Sequence, residues 1–266
     1  MRRARRRSTA SQIKVAPLVT RTSFAAGVVI PTSSVKPVAS WVGEGEGSER
    51  QKKTTGKVTF SYFKLRCEIS MSMEVGVMAL SAFEAAFVAN VADAMVVAVE
   101  KAILAGDGSD RPTGILHGGA IDDDHVVTLK TKDKWTYADI IAAEAAVPVE
   151  YENVAKWFMT KAQFMKIVGM TDNNGQPIAR VDYGIDGKLT RNILGREVVL
   201  HPYATEMDDH LAGIFDFRDY VLNTIYDMGI QKKQSWETED LLTKAVMSVD
   251  GKPVDKHSLI LIDNPA

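Results

Sequence analysis

The residues best able to do chemistry in this 266-residue chain are five histidines, one cysteine and several clustered charges. His117, His125, His201, His210 and His257 make no H-x-x-x-H or H-E-x-x-H pattern, so no helical face offers two imidazoles to a metal. His201 and His210, with Asp208 and Asp209 between them, have suitable ligand atoms, but without a recognisable spacing they read as solvated loop residues. Asp107, Asp110 and the Asp122–Asp124 run lack the spacing of a calcium loop. The Gly43–Gly47 run lacks the G-K-[ST] ending of a phosphate cradle, and Glu44 and Glu46 would repel phosphate. No G-x-S-x-G elbow is present. Cys67 excludes an internal disulfide framework and reads as a small buried hydrophobe on the apolar face of a strand. The pattern therefore predicts no enzyme, no cofactor and no metal.

The charges are more telling. Net charge is -2, which gives no global case for nucleic acid. The start, MRRARRR, is nevertheless strongly basic: Arg2, Arg3, Arg5, Arg6 and Arg7 either contact phosphates without reading sequence or stay solvated. No aromatic residue interleaves with them, so base stacking is not expected. A second cluster lies in the Gly-punctuated stretch Gly43–Gly56, where Glu44, Glu46 and Glu49 stand close to Arg50, Lys52 and Lys53. It reads as an exposed loop tip whose charges contact a neighbouring subunit.

The elements that must position these groups follow from periodicity. Residues 1–40 lack it, and read as a disordered tail or as an extended arm that orders on a neighbour. Val58, Phe60 and Tyr62 alternate with polar residues, as do Phe63, Leu65, Cys67, Ile69, Met71 and Met73. The phase flips between Tyr62 and Phe63, which predicts a bulge or a change of face. The expectation is a long two-stranded ribbon with its loop near residues 45–56, lying on another subunit. An Ala-rich helix runs from about Ala79 to a stop at Gly106, roughly 39 Å. Its apolar stripe is Phe83, Phe87, Val91, Met95, Ala98 and Ala102, and Glu84, Asp93, Glu100 and Lys101 interrupt it well short of a membrane span. No secretory signal is visible. Thr136 is an N-cap for a helix through Ala146, Val154–Met159 a buried strand, and Thr160 a cap for a helix through Val168. Thr171–Gly175 reads as a turn and Leu194–Leu200 as a strand start. Ile214–Ile225, Leu242–Val249 and Ser258–Ile262 are strand-like, with a turn at Asp250-Gly251. Without a regular βαβ beat, the fold class is α+β.

Several segments, in order, resemble the major capsid proteins of tailed phages, the family with the Hong Kong 97-type fold. They are Ile30-Pro31-Thr32, Trp41-Val42-Gly43-Glu44-Gly45, Lys57-Val58-Thr59-Phe60, Leu104-Ala105-Gly106-Asp107-Gly108, Pro112-Thr113-Gly114-Ile115-Leu116, Leu194-Gly195, Phe215-Asp216-Phe217, and Ala245 to Asp255 with its Asp250-Gly251-Lys252-Pro253 turn. The resemblance implies an N-terminal arm (1–40), an extended β-ribbon loop (41–73), a peripheral domain with the long spine helix (74–135), an axial domain (136–213) and peripheral C-terminal strands (214–266). It implies a head protein that self-assembles as hexamers and pentamers into an icosahedral shell around double-stranded DNA. Its partners would be portal, scaffold and decoration proteins and the packaged DNA, with no membrane. The setting would be the virion, after assembly in the host bacterial cytoplasm. An encapsulin-type compartment shell is the alternative. Many relatives carry an N-terminal scaffolding segment that a protease removes; a chain starting at Met1 has no room for one, which implies a separate scaffold protein or a processed start. Some relatives crosslink a loop lysine to an asparagine. Lys52, Lys53 and Lys57 are present here, but Asp240–Val246 contains no asparagine, so a non-covalent shell is expected.

Overall fold

The computed structural model describes residues 15–24, 29–33, 41, 55–71, 81–120, 122–171, 181–183, 189–202, 210–236 and 240–265. The first elements are β1 (Thr20–Thr22), β2 (Val29–Ser33), β3 (Thr55–Thr59), β4 (Phe63–Met71) and α1 (Ser81–Ala105). Next come β5 (Val126–Thr128), α2 (Tyr137–Ala146), β6 (Lys156–Met159) and α3 (Lys161–Val168). The rest are β7 (Val181–Tyr183), β8 (Leu189–Ile193), β9 (Arg196–Leu200), β10 (His210–Phe215), β11 (Tyr220–Gln234), β12 (Leu241–Pro253) and β13 (Ile260–Asp263). Three sheets result: β1-β11-β12-β4, β5-β13-β10-β6-β9-β8-β7, and the pair β2-β3.

The central strands β13, β10, β6 and β9 of the seven-stranded sheet are buried on both faces, and strand alternation assigns each side chain to a face. Trp157 and Met159 of β6, Val198 and Leu200 of β9, and Ile260 and Ile262 of β13 pack with Ile140 and Ala143 of α2 and Phe164 and Ile167 of α3. Their neighbours Phe158, Val199 and Leu261 point the other way, to Val99, Ile103 and Leu104 of α1 and to Leu222 and Val249 of the four-stranded sheet. The helices α2 and α3 begin where Thr136 and Thr160 cap them. Thr136 forms a capping box with Asp139, and the Thr160 hydroxyl accepts from the Gln163 amide.

α1, about 37 Å long at 1.5 Å per residue, lays Val91 and Met95 on Leu65, Cys67 and Ile69 of β4 and on Ala245 of β12. Its C-terminal carbonyls are answered by a returning chain: Ile115 and Leu116 amides donate to Ile103 and Leu104 at 2.9 and 3.1 Å, and Gly114 donates to Gly106. The helix stops where expected, but Gly106 is not in a left-handed conformation. Glycine is needed because a Cβ there would lie 1.9 Å from the Pro112 carbonyl oxygen, and one on Gly114 would lie 2.4 Å from that of Leu104.

Several expectations are corrected. β3 pairs with β2, at Val29↔Thr59 through Ser33↔Thr55, so the ribbon draws one strand from the segment assigned to the arm. β4 is not the ribbon's second strand; it pairs with β12 from Leu241↔Met71 to Val249↔Phe63 and its half-buried face lies on its own core. The phase flip at Tyr62–Phe63 is thus a change of sheet. Asp250-Gly251 is not a turn but lies inside β12, opposite Asn223 and Leu222. Glycine at 251 leaves room for the Tyr220 ring, whose oxygen would lie 2.4 Å from a Cβ there. The run Ile214–Ile225 divides between β10 and β11 in different sheets, and β5 and β13 join the sheet built from residues 136–213. Of the turn expected at Thr171–Gly175, residues 172–175 lie outside the described residues.

Leu194-Gly195 forms the two-residue turn between β8 and β9, with φ of 48° and 88°. Both central residues at positive φ make this a type I′ hairpin, for which asparagine is preferred at the first position. Leu194 is 54% exposed there. We predict that Leu194→Asn raises the free subunit's stability by about 1 kcal/mol, because a leucine is strained in the left-handed region. Thermal melting of both proteins checks this, and a lower melting temperature for the variant would contradict it.

Candidate functional site

No catalytic or metal centre takes shape among the described residues: none of their His, Cys, Asp and Glu side chains gather in threes with metal-binding geometry. His210 contacts the Asp263 carboxylate across the β10–β13 ladder, while Asp208 and Asp209 lie outside the described residues. His201 corrects the expectation of a solvated loop residue. It is buried at the end of β9, its amide donating to the Met159 carbonyl at 2.9 Å, and its Nε2 lies 3.3 Å from Glu100 Oε2. The arginines Arg2, Arg3, Arg5, Arg6 and Arg7 and the loop charges Glu44, Glu46, Glu49, Arg50, Lys52 and Lys53 all lie outside the described residues.

The structure instead brings together a junction that sequence reasoning missed. Glu100, 1% exposed, accepts from the Val15 amide at 3.0 and 3.2 Å and from the Ala16 amide at 2.7 Å. One carboxylate therefore joins the N-terminal segment, α1 and, through His201, the seven-stranded sheet. A signal was present in the sequence. At 3.6 residues per turn, position 100 falls between those of Ile103 and Leu104, both fully buried, so the apolar stripe widens around it toward the helix end.

From that junction residues 15–24 run as a strap over the protein's own fold. β1 pairs in parallel with β11, Thr20↔Val221 to Thr22↔Asn223. The buried Asn223 side chain accepts from the Phe24 amide at 2.7 Å and donates to its carbonyl at 3.1 Å. Arg21 donates back to the Ala16 carbonyl, and the Thr20 hydroxyl to that of Arg218.

The β2–β3 ribbon is held at its base. Phe60 is fully buried, the Ser61 amide donates to Asp250 Oδ2 at 2.7 Å, and Lys252 Nζ donates to the Thr59 carbonyl at 2.8 Å. The other Asp250 oxygen accepts from Gly251. Burial, with the Asp250 charge beside it, pushes the Tyr220 phenol far up. Two large apolar groups face solvent: Tyr62, between β3 and β4, is 64% exposed and Trp41, in the connection between β2 and β3, is fully exposed at 104%.

Two further polar clusters tie α2 and the turn after it to β6, β9 and the β12–β13 connection. Arg196 donates bidentately to Glu144 and to the Glu152 and Ala155 carbonyls, while Trp157 Nε1 donates to Glu144 at 2.7 Å. Tyr151 donates to Asp255, which also accepts from the His257 amide. Burial, with Asp255 next to it, pushes the Tyr151 hydroxyl up to about 12. Burial pushes the Asp255 carboxyl up, but the His257 amide and ring and the Tyr151 hydroxyl outweigh it and hold it below its ordinary value.

Two outcomes are expected. Glu100→Ala removes the acceptor for two buried amides and should cost about 3 kcal/mol. Denaturant unfolding would measure it, and trypsin should then cut at Arg21 in the variant alone. Unchanged stability would mean that the junction holds nothing. For Asp255, a depressed folded-state value means the carboxylate form is favoured by folding. Its contribution is present above the ordinary value of 3.8 and lost as pH falls through the lower folded value. The stability gap between the unaltered chain and Asp255→Asn, about 1 kcal/mol at neutral pH, should therefore shrink below about pH 4. A gap that is constant down to pH 2 would contradict this.

Comparison with known proteins agrees with this architecture. Residues 7–264 match the sequence model of the phage capsid family. No curated protein sequence matches the chain. Among solved structures, the capsid of a native GTA particle superposes with a TM-score of 0.82 at 18% identity, covering 98% of this chain and 91% of that one. The Gordonia phage Cozz structure gives 0.70 at 13% identity, with 96% and 87% covered. Mycobacterium phage Adephagia gives 0.69 at 13%, with 100% and 95% covered. At such identities the likeness establishes the fold, and the match over nearly the whole sequence establishes the family. A spine helix laid on one sheet, a second sheet whose central strands are buried on both faces and a separate two-stranded ribbon are thus the Hong Kong 97-type fold, and the chain belongs to the phage capsid family.

Proposed function

We propose that this protein is the repeated head subunit of a tailed double-stranded DNA phage, assembling as hexamers and pentamers into a closed icosahedral shell around the packaged genome. The observation that carries this reading is the β2–β3 ribbon. It is a two-stranded sheet joined to its own core at Phe60 and Ser61, and it displays a fully exposed Trp41. A two-stranded ribbon is marginal in water by itself, and an indole exposes a large apolar area. A repeated neighbour supplies the missing surface.

In this reading residues 1–28 are the arm, of which 15–24 lie on the subunit's own sheet. The extended loop centres on residues 34–54, the four-stranded sheet with α1 is the peripheral domain, and the seven-stranded sheet with α2 and α3 is the axial domain. Glu44, Glu46, Glu49, Arg50, Lys52 and Lys53 meet oppositely charged groups of the next subunit. Each exposed pair contributes only about 0–1 kcal/mol, but a shell repeats every contact many times. Arg2, Arg3, Arg5, Arg6 and Arg7 contact DNA phosphates or a scaffold protein. Portal and decoration proteins complete the particle, which assembles in the host cytoplasm. Absence of asparagine from Asp240–Val246 favours a shell held by packing without isopeptide bonds.

Deleting Gly45–Thr54 should leave a folded subunit with unchanged circular dichroism that forms no closed shells in electron microscopy. Normal shells from the deletion would overturn the role of the loop. Mature particles boiled in denaturing detergent should run as one band near 29.1 kDa. A ladder of oligomers that persists under reducing conditions would show covalent linkage. The absorbance ratio of native particles separates DNA-filled heads from shells holding protein cargo.

A further inference from the structure

Positive charge gathers beside β5, the edge strand of the seven-stranded sheet. Between β5 and α2, Lys130-Thr131-Lys132-Asp133-Lys134 makes a tight turn in which the Lys134 amide donates to the Thr131 carbonyl at 3.2 Å. Asp133 is the turn's one carboxylate, and Lys166 of α3 answers it at 3.7 Å. α3 also holds the chain just after the turn, where Gln163 accepts from Trp135 Nε1 at 3.0 Å. Lys161 opens that helix, and no carboxylate occurs from Thr160 to Met170. Lys130, Lys132, Lys134 and Lys161 are exposed, and none makes an ion pair with a described residue. Five lysines thus stand around one paired aspartate. Other acids lie apart: Asp122–Asp124 precede β5, about 10 Å of strand away. Asp139 is buried in its capping box, and Glu150 and Glu152 lie past the far end of α2.

The turn is also fixed in shape. Asp133 has φ of 56°, a left-handed conformation uncommon for residues other than glycine, and Asn264 Oδ1 holds it there by accepting from the Asp133 amide at 2.9 Å. Like charges repel, and a free loop would spread them; here strand, helix and the C-terminal segment keep them together in a chain whose net charge is -2. Resting on the shell-subunit reading above, we propose that this lysine surface binds the phosphate backbone of double-stranded DNA. A duplex carries one negative charge per about 1.7 Å of its axis, dense enough to meet the four unpaired lysines at once. Ammonium groups reach phosphate as point charges, and phosphate contacts position a duplex without reading its sequence.

The test measures binding of the full-length free subunit to a labelled duplex of mixed sequence across a salt series. Lys130→Gln with Lys132→Gln and Lys134→Gln should melt with the unaltered chain, since all three side chains are exposed. This variant should bind roughly tenfold or more weakly, and its plot of log affinity against log salt should flatten by about 2.7, at about 0.9 for each phosphate no longer neutralised. Lys64→Gln with Lys233→Gln and Lys244→Gln removes the same charge from the four-stranded sheet and should change both quantities far less. No binding by the unaltered chain, equal losses from the two triple variants, or an unchanged slope would overturn the proposal. So would a first variant that keeps its DNA affinity and loses only its binding to polyglutamate, which would assign the surface to an acidic protein. The measurement needs no shell, so a chain that forms no closed particles fails the proposed function separately.

Discussion

A carboxylate removed from water must find donors, and the fold is organised around one that does. Desolvating Glu100 costs several kcal/mol. Two amides donating to it return about 1.5–3 kcal/mol each, so the balance closes only if Val15 and Ala16 stay in place. Once they do, Val15, Ala16 and Val19 are committed to the same core as Ile103, Phe158 and Val249. The strap, the spine and both large sheets then share one buried volume. His201 adds the contact from the far sheet and fixes the end of β9 relative to α1.

The second constraint is that the central strands of the seven-stranded sheet are buried on both faces. Alternate residues of β6, β9 and β13 serve two different cores, one roofed by α2 and α3, the other by α1 and the four-stranded sheet. A change of register by one residue would exchange these faces, and Phe158 cannot take the place of Trp157, whose indole nitrogen donates to Glu144. Rigid central packing leaves the exceptions at the periphery. There the subunit keeps a strained Leu194, an exposed Trp41 and a separate two-stranded ribbon, features at odds with a solitary protein and consistent with a family of shell-forming proteins.

Elements set by neighbours in sequence were legible from the residues. Thr136 and Thr160 cap helices because a hydroxyl reaches an amide three residues on, and Val91, Met95 and Ala102 face inward because a helix repeats every 3.6 residues. The alternation of β4 predicted its half-buried face for the same local reason. The α+β class and the family resemblance followed from the order of such pieces. Partners distant in the chain were decided by the tertiary structure alone. Alternation says that a residue faces a core but not which core, so β4 was assigned to the ribbon when its mate is β12. Asp-Gly at 250–251 has turn chemistry, yet the Tyr220 ring and the Ser61 amide hold it within a strand. Glu100 read as a polar interruption and His201 as a solvated loop residue, because the groups that answer Glu100 lie 85 residues before it and 101 after it in the chain. Local propensity is encoded within a few residues, whereas the burial of a charge is settled by whatever the folded chain brings within 3 Å of it.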